Sequence, residues 1–454
     1  MSAESLRILL RGGRVMDPAR RLDLTGDVLL VGGRIAYAGP PLDPREAEAD
    51  QIFDATGLVI APGFIDLHCH LREPGQEAKE TIATGTRAAA RGGFTTVCAM
   101  ANTSPPIDCR PLLEYVQQTA RREGVVRVFS LAAVTRGLAG QELTEMAELA
   151  AAGAIAFSDD GVPIASSRIM RAALAYSRLC GRPIMPHCDD PELLAGGTMN
   201  EGPVAACLGL KGIPAAGEEA MVARDLALAA LTGGRLHIAH VSTAGAVDLI
   251  RRAKARGVAV TAEATPHHLA LTDAWVAGHR WEGHGQPYDT STKVNPPLRS
   301  EADRQALLAG LRDGTIDAIA TDHAPHTLVD KLCPYDEAAF GISGLETALG
   351  TLLRLVEHGE LTLDLVIEKL TIGPARVFGL PYGTLQPGQA ADVVVFDPQT
   401  TWVVDPTRFA SKGRNTPLAG QRLRGRVEAT FVGGRLVHQT EEFAARQTRA
   451  LVTR

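Results

Sequence analysis

The run Phe64-Ile65-Asp66-Leu67-His68-Cys69-His70 reads as a buried strand that ends in a His-x-His pair. Side chains alternate faces along a strand, so His68 and His70 point the same way. Two imidazoles at a strand end can hold one metal ion through converging Nε2 lone pairs. Other apolar runs end in the same manner. Met100-Ala101-Asn102-Thr103, Ser158-Asp159-Asp160-Gly161, His187-Cys188-Asp189-Asp190, His240-Val241-Ser242-Thr243 and Thr321-Asp322-His323-Ala324-Pro325-His326 each follow a strand-like stretch. Four histidines and two carboxylates suffice for a binuclear centre. Carboxylate-bridged metals polarise a carbonyl and lower the pKa of a bridging water, so hydroxide forms at neutral pH and attacks an amide or imide. A metal-bound Asp can accept the proton and return it to the leaving nitrogen, and Asp322, at the last strand end, suits that role. Arg72 leaves the first strand beside this centre. Its guanidinium matches a substrate carboxylate through two parallel hydrogen bonds, and Asn102 and Asn295 add neutral amides. The expected substrate is a small anionic amide or imide.

These groups must be positioned by regular elements. Strands are expected at residues 64–67, 95–99, 126–131, 154–157, 183–186, 236–239, 259–262 and 316–320. Helical stretches at 79–91, 110–123, 142–151, 167–180, 218–231, 244–255 and 301–312 alternate with them. Eight such units make an α/β chain with a (β/α)8 TIM-type barrel, whose active site lies at the C-terminal strand ends. No Gly-rich phosphate turn follows a strand, which disfavours a dinucleotide-binding sheet. Short β runs with Gly-Gly turns occur near both ends, as at Gly32-Gly33-Arg34 and Gly433-Gly434-Arg435. The expected organisation is residues 1–60 and 381–454 forming one small β domain around a hydrolase barrel at 61–380. Residues 441–454 are expected to be a polar helix or a frayed tail.

Composition narrows the function class. The 454 residues are 45% hydrophobic and 22% charged, with a net charge of −6. That balance gives no footprint for nucleic acid and no polybasic membrane patch. No apolar run approaches the roughly 20 residues of a membrane span, and Met1 to Arg11 has no signal-peptide pattern. Seven scattered cysteines without a CxxC pair point to a reducing cytoplasm. Cys69 and Cys188 read as packing residues. His237 is ambiguous, His267-His268 are placed to shape the mouth, and His323 should face away from its neighbour Asp322. His279, His284, His358 and His438 read as surface groups.

Taken together, Asp66-Leu67-His68-Cys69-His70-Leu71-Arg72-Glu73-Pro74-Gly75, Gly92-Gly93-Phe94-Thr95-Thr96-Val97, Phe157-Ser158-Asp159-Asp160-Gly161, Val294-Asn295-Pro296-Pro297-Leu298-Arg299, Ala320-Thr321-Asp322-His323-Ala324-Pro325-His326, Phe340-Gly341 and Gly383-Thr384-Leu385 resemble the dihydroorotase family of the amidohydrolase superfamily. The resemblance spans about residues 5 to 440. It implies one zinc on His68, His70 and Asp322, a second on His187 and His240, and Asp160 as the bridge in place of the carboxylated lysine of many relatives. The choice of Asp160 over Asp159 comes from the alignment of the motif. The resemblance makes Asp322 the general acid/base and His70, Leu71, Arg72, Asn102, Asn295, His326, Phe340 and Gly341 the substrate pocket. The implied reaction is the reversible cyclisation of N-carbamoyl-L-aspartate to (S)-dihydroorotate in pyrimidine synthesis. A homodimer and association with aspartate transcarbamoylase are compatible with it. The alternatives are a dihydropyrimidinase or allantoinase type of cyclic amidohydrolase, for which Arg72 has no purpose, and a metal-free barrel supporting that transcarbamoylase, against which the full set of ligand positions argues. Two departures stand out. Ala101 replaces the family's proline before Asn102, and residues 273–292, with Trp275 and Trp281, are longer than in close relatives and placed to cover the mouth.

Overall fold

The computed structural model describes residues 6–43 and 48–449; residues 1–5 and 450–454, the outer ends of the expected β domain and tail, lie outside it, as do 44–47. The barrel closes through parallel pairing all the way round. Phe64–Cys69 pairs with Phe94–Ala99, which pairs with Arg127–Ser130. The ladder then narrows to single bridges, Ala132 to Phe157, Phe157 to Ile184 and Ile184 to Leu236. Leu236–Ile238, Val260–Ala264 and Ala318–Ile319 follow, and His323 bridges back to Cys69. The fourth and fifth expected strands are therefore reduced to one bridged residue each, Phe157 and Ile184. Backbone bonds at their margins, Phe157 N–H to Pro183 O (3.1 Å) and His237 N–H to Ile184 O (2.8 Å), keep the wall continuous.

Two apolar clusters fill this wall. Ile65, Leu67, Cys98, Met100, Leu131, Met185, Ala239 and Ala320 pack together with Val377 and Phe378, the last turn of the helix Ile372–Phe378. Phe64, Cys69, Phe94 and Val97 pack instead with the helices. Those helices start where capping chemistry allows. Thr81 and Ser300 form reciprocal capping boxes with Thr84 and Asp303, and satisfy N–H groups otherwise orphaned in the first turn.

The two chain ends share one sheet, in the order Arg435–Gln439, Arg422–Val432, Val393–Val403, Val59–Pro62, Arg7–Asp17, Leu22–Val31, Arg34–Gly39. Val59–Pro62 runs antiparallel to Val393–Val403, so the chain leaves this sheet one residue before the first barrel strand begins. The segment after residue 440 departs from expectation. Glu441–Ala445 is a single helical turn, and Gln447–Arg449 then pairs with Gln51–Asp54. The reason is Phe443, fully buried with its ring stacked at 4.9 Å on Phe53, which in turn meets Phe431 edge to face at 6.1 Å. One aromatic in a polar stretch is enough to draw the chain back onto the sheet.

Replacing Phe443 with Ala should cost about 3 kcal/mol of stability. A lowered denaturant midpoint with unchanged metal content would show it; an unchanged midpoint would mean that the anchor is dispensable.

Candidate active site and metal centre

The expected ligands stand at the C-terminal ends of strands or bridges, His68 and His70 together at the end of Phe64–Cys69. The pairing of Phe64–Cys69 with its neighbour shifts register between Asp66 and Cys69. Ile65 and Leu67 therefore face the same apolar cluster, and the irregularity then turns His68 and His70 toward the mouth. Cys69 points the other way, its Sγ against Cys98 O, and Cys188 lies against Asp225, both as packing residues.

Asp160 sits among the four histidines. Its Oδ1 is 3.5 Å from His68 Nε2, 3.5 Å from His240 Nε2 and 3.6 Å from His187 Nδ1, and its Oδ2 is 3.5 Å from His70 Nε2. Asp322 Oδ1 lies 3.1 Å from His70 Nε2 and 3.5 Å from His68 Nε2. His68, His70 and Asp322 form one group with ligand atoms within 4.8 Å of one another, and His68, Asp160 and His240 form another. Burial disfavours charge on Asp160, but His68, His187 and His240 outweigh it and hold the carboxyl well below its usual range. Asp322 is lowered too, with His68 and His70 overcoming its burial. His68 is the converse case, raised well above its ordinary value because Asp160 and Asp322 outweigh desolvation. His68 Nε2 and Asp160 Oδ1 are buried without a hydrogen-bond partner among the described residues. Imidazole and carboxylate donors that converge with orphaned, inward lone pairs fit a metal.

The outer contacts separate the two aspartates that sequence left paired. Asp159 turns away, accepting from Val134 N–H (2.7 Å) and Thr135 N–H (3.0 Å) and from the Thr135 hydroxyl. Burial raises it to about 6. Sequence reasoning missed Glu263, which takes no part in any strand-end motif. Its carboxylate is fully buried, 2.8 Å from His68 Nδ1 and 3.1 Å from His237 Nε2. His237, ambiguous in sequence, is thus a buried partner of Glu263. Despite full burial, Glu263 is pulled down to about 2 by His237 and His68. A carboxylate on the far nitrogen fixes the tautomer and ring plane of a ligating histidine. The ends of the strands are also bent. Arg72, His240 and Asp322 have φ of 63°, 30° and 46°, left-handed values that non-glycine residues adopt only when surroundings enforce them.

A cavity of about 610 Å³ including its open mouth lies over these groups. Arg72, Asn102, Asn295, His326, Phe340 and Gly341 line it with His70, Asp160, His187, His240 and Asp322. Leu71 does not. Its side chain enters the apolar core beside Gly85, because alternation puts it opposite His70 and Arg72. Arg72 is 9% exposed and, among the described residues, has no carboxylate at ion-pair distance. It donates to Pro325 O at 3.3 Å and meets His326 Nε2 at 3.4 Å. Glu73, next to Arg72 in sequence, instead accepts from Ile82 N–H at 2.9 Å. Asn102 keeps its place without the family proline, bonding His70 Nδ1 through Oδ1 (2.9 Å) and Asp160 through Nδ2 (3.2 Å). Asn295 bonds His187 Nε2 at 3.0 Å. Gly75 permits this loop, since a Cβ there would sit 1.7 Å from Ser104 O.

Other histidines divide by environment. His268 bonds Pro296 O at 2.9 Å and so supports the loop of Asn295, while His323 turns to Gly344 N–H and Glu80. His279, His284 and His358 are exposed. His438 is a correction: it is half-buried, and desolvation with Arg91 and Arg426 lowers it to about 4. Residues 273–292 are a second one, for none of them lines the cavity. Trp275 and Trp281 pack edge to face at 5.1 Å, and Arg354 stacks on Trp281, drawing the stretch outward over the helix Ala348–Glu357.

Comparison with known proteins gives the family of the chain. The family described as Dihydro-orotase-like matches residues 57–246. The dihydroorotase of Pelotomaculum thermopropionicum is 54% identical over 96% of this chain and 99% of its own, and that of Syntrophus aciditrophicus is 50% identical over 96% and 100%. The chain belongs to the dihydroorotase family. Among solved structures, the L-hydantoinase of Arthrobacter aurescens superposes with a TM-score of 0.83 at 26% identity, covering 95% of this chain and 96% of that one. Dihydropyrimidinase from Brevibacillus agri, at 24% identity and a TM-score of 0.81 over 96% and 95%, shares the fold. This chain and these two structures therefore share one fold over nearly their full lengths. Within the family, the buried Arg72, with no carboxylate at ion-pair distance among the described residues, is the feature of this site that suits an anionic ring.

Glu263→Gln should weaken metal retention by roughly 10–100-fold. Titration of the bound metal with a competing chelator measures it, and unchanged affinity would show that His68 needs no carboxylate behind it.

Proposed function

We propose that this enzyme is a zinc-dependent dihydroorotase that interconverts N-carbamoyl-L-aspartate and (S)-dihydroorotate in pyrimidine biosynthesis. One ion would sit on His68, His70 and Asp322 and a second on His187 and His240, with Asp160 shared. When bound, the metal pair supplies Lewis-acid polarisation of the ring amide and acidifies a water. The observation that carries the reading is the meeting, in one cavity, of this donor set with an arginine that has no carboxylate at ion-pair distance among the described residues.

The protein's residues account for the remaining steps. Arg72 receives the substrate carboxylate through two N–H groups, and His326 beside it holds the wall. His326 is lowered to about 3 by burial and by Arg72, Lys79 and Lys331, so it stays neutral and adds no competing charge. Asn102 and Asn295 keep the rings of His70 and His187 in plane and offer amide contacts to the ring of the substrate. In the hydrolytic direction Asp322 takes a proton from the attacking water at Oδ and delivers it to the departing ring nitrogen as the amide C–N bond breaks. In synthesis it runs the same path backwards. Asp322, buried and tilted by its strained backbone toward His70, has one position from which to do so. Dimerisation and an association with aspartate transcarbamoylase belong to this reading through the sequence resemblance alone. Seven free cysteines fit a reducing, cytoplasmic setting.

Dihydroorotate hydrolysis and its reverse should be measured with metal content on the same sample, and with dihydrouracil, hydantoin and allantoin as controls. Turnover of dihydroorotate alone is expected. Asp322→Asn should lower kcat by roughly 10³-fold, and Arg72→Met should raise KM by about 10–100-fold, the worth of one to two charged hydrogen bonds. Preference for a neutral ring would move the enzyme to the hydantoinase side. Absence of metal together with absence of turnover would favour the supporting barrel.

A further inference from the structure

The segment 409–421 crosses from the β-rich sheet to the mouth of the barrel, and the barrel grips it at three points. Glu346, whose side chain is 4% exposed, accepts from Ala410 N–H and Ser411 N–H, both at 3.1 Å. Glu80 accepts from the Ser411 hydroxyl and from Lys412 N–H at 3.3 Å. Gly413 then lies so close to Pro325 and Ser343 that a Cβ would come within 2.4 Å of each.

Asn415 makes the third grip. Its Nδ2 donates to Ala324 O at 3.0 Å and to Gly341 O at 2.9 Å. Its Oδ1 accepts from His326 N–H at 3.0 Å and from the Ser343 hydroxyl at 2.8 Å. The backbone bond from Ser343 N–H to Asn415 O, 2.9 Å, adds a fifth contact. A primary amide has two donors and two acceptor lone pairs, and here all four are used. Ala324, His326 and Gly341 all line the cavity, whereas Asn415 does not. Loops 324–326 and 340–343 are already joined by the bridge of His323 to Ile342, by Ala324 N–H to Ile342 O at 2.9 Å and by His326 Nε2 to Phe340 O at 2.8 Å, and they meet again on one side chain from a distant part of the chain.

We propose that Asn415 is a positioning residue for the carboxylate-binding wall, setting the separation of His326 and Gly341 and with it the direction in which Arg72 is presented. The proposal rests on the carboxylate reading of Arg72 given above. Asn415 touches neither metal donors nor substrate, so its loss acts on substrate binding rather than on the proton path. An Asp at this position keeps the shape but turns both donors into acceptors that face two carbonyl oxygens. The Thr416 hydroxyl is buried in the same segment and accepts only from Leu418 N–H at 3.3 Å, which makes Thr416→Val the matched control.

The test is steady-state kinetics of Asn415→Asp and Thr416→Val with dihydroorotate, together with hydrogen exchange over residues 323–327 and 340–344. Asn415→Asp is expected to raise KM by about tenfold or more with kcat changed less than about threefold, and to speed exchange in both loops; Thr416→Val should do neither. If Asn415→Asp does not fold, Ser343→Ala removes one of the four bonds and should raise KM by about threefold. Unchanged KM and exchange, a loss confined to kcat, or an equal effect of Thr416→Val would overturn the assignment. Failure of the unaltered enzyme to act on dihydroorotate would overturn the carboxylate reading itself, whereas normal turnover with an insensitive Asn415 would overturn only the positioning role.

Discussion

Two carboxylates and four imidazoles buried within a few ångströms of one another are the constraint on which this structure turns. Desolvating so many ionisable groups is unfavourable unless each charge meets a complementary one and each remaining lone pair is satisfied. The Asp160–His68–Asp322 arrangement meets the first condition by mutual attraction: the carboxyls fall below their ordinary range and His68 rises above its own. The second is met only in part, since His68 Nε2 and Asp160 Oδ1 have no hydrogen-bond partner among the described residues. A cation in their midst resolves both conditions at once, and this is why a cluster so unfavourable for an empty core is a sensible design for a metal site.

The barrel exists to hold that cluster. A closed parallel sheet brings eight strand ends to one rim, whereas an open sheet brings together only neighbours at a crossover. The rim is where regularity is given up. The register shift before Cys69 and the left-handed backbones of Arg72, His240 and Asp322 all lie there. Glu263, buried between His68 and His237, and Asp159, bonded into the turn at Val134-Thr135, hold the rim from below. The β-rich sheet contributes from outside, through a segment whose Asn415 bonds the loops at Ala324, His326 and Gly341.

Much of this was legible in the residue order. The His-x-His pair, the recurrence of His and Asp at strand ends, and the alternation of strand-like with helical stretches are local patterns, and local patterns follow from the period of the backbone. Helices such as Ser167–Cys180 and Glu301–Arg312 fall where the periodicity places them. Partnerships between segments distant in sequence were less legible. Nothing local marks Glu263 as the group behind His68, or Asn415 as the residue joining Ala324 to Gly341, because both roles are defined by what stands opposite in space. Residues 273–292 were misplaced for the same reason: two tryptophans signal burial but not the surface against which it occurs.

By itself the sequence determined the class of chemistry, the barrel and the identity of the chemically active residue types, since these depend on spacing along single strands. Only the tertiary structure turned Asp159 into the Val134-Thr135 turn while Asp160 faces the histidines, left Arg72 with no carboxylate at ion-pair distance among the described residues, turned Leu71 out of the cavity and set His187 with Nδ1 rather than Nε2 toward Asp160. Each of these outcomes is a direction in space. It depends on the twist of a closed sheet, the register of its pairs and the hydrogen bonds available across the rim, none of which is written in any one segment.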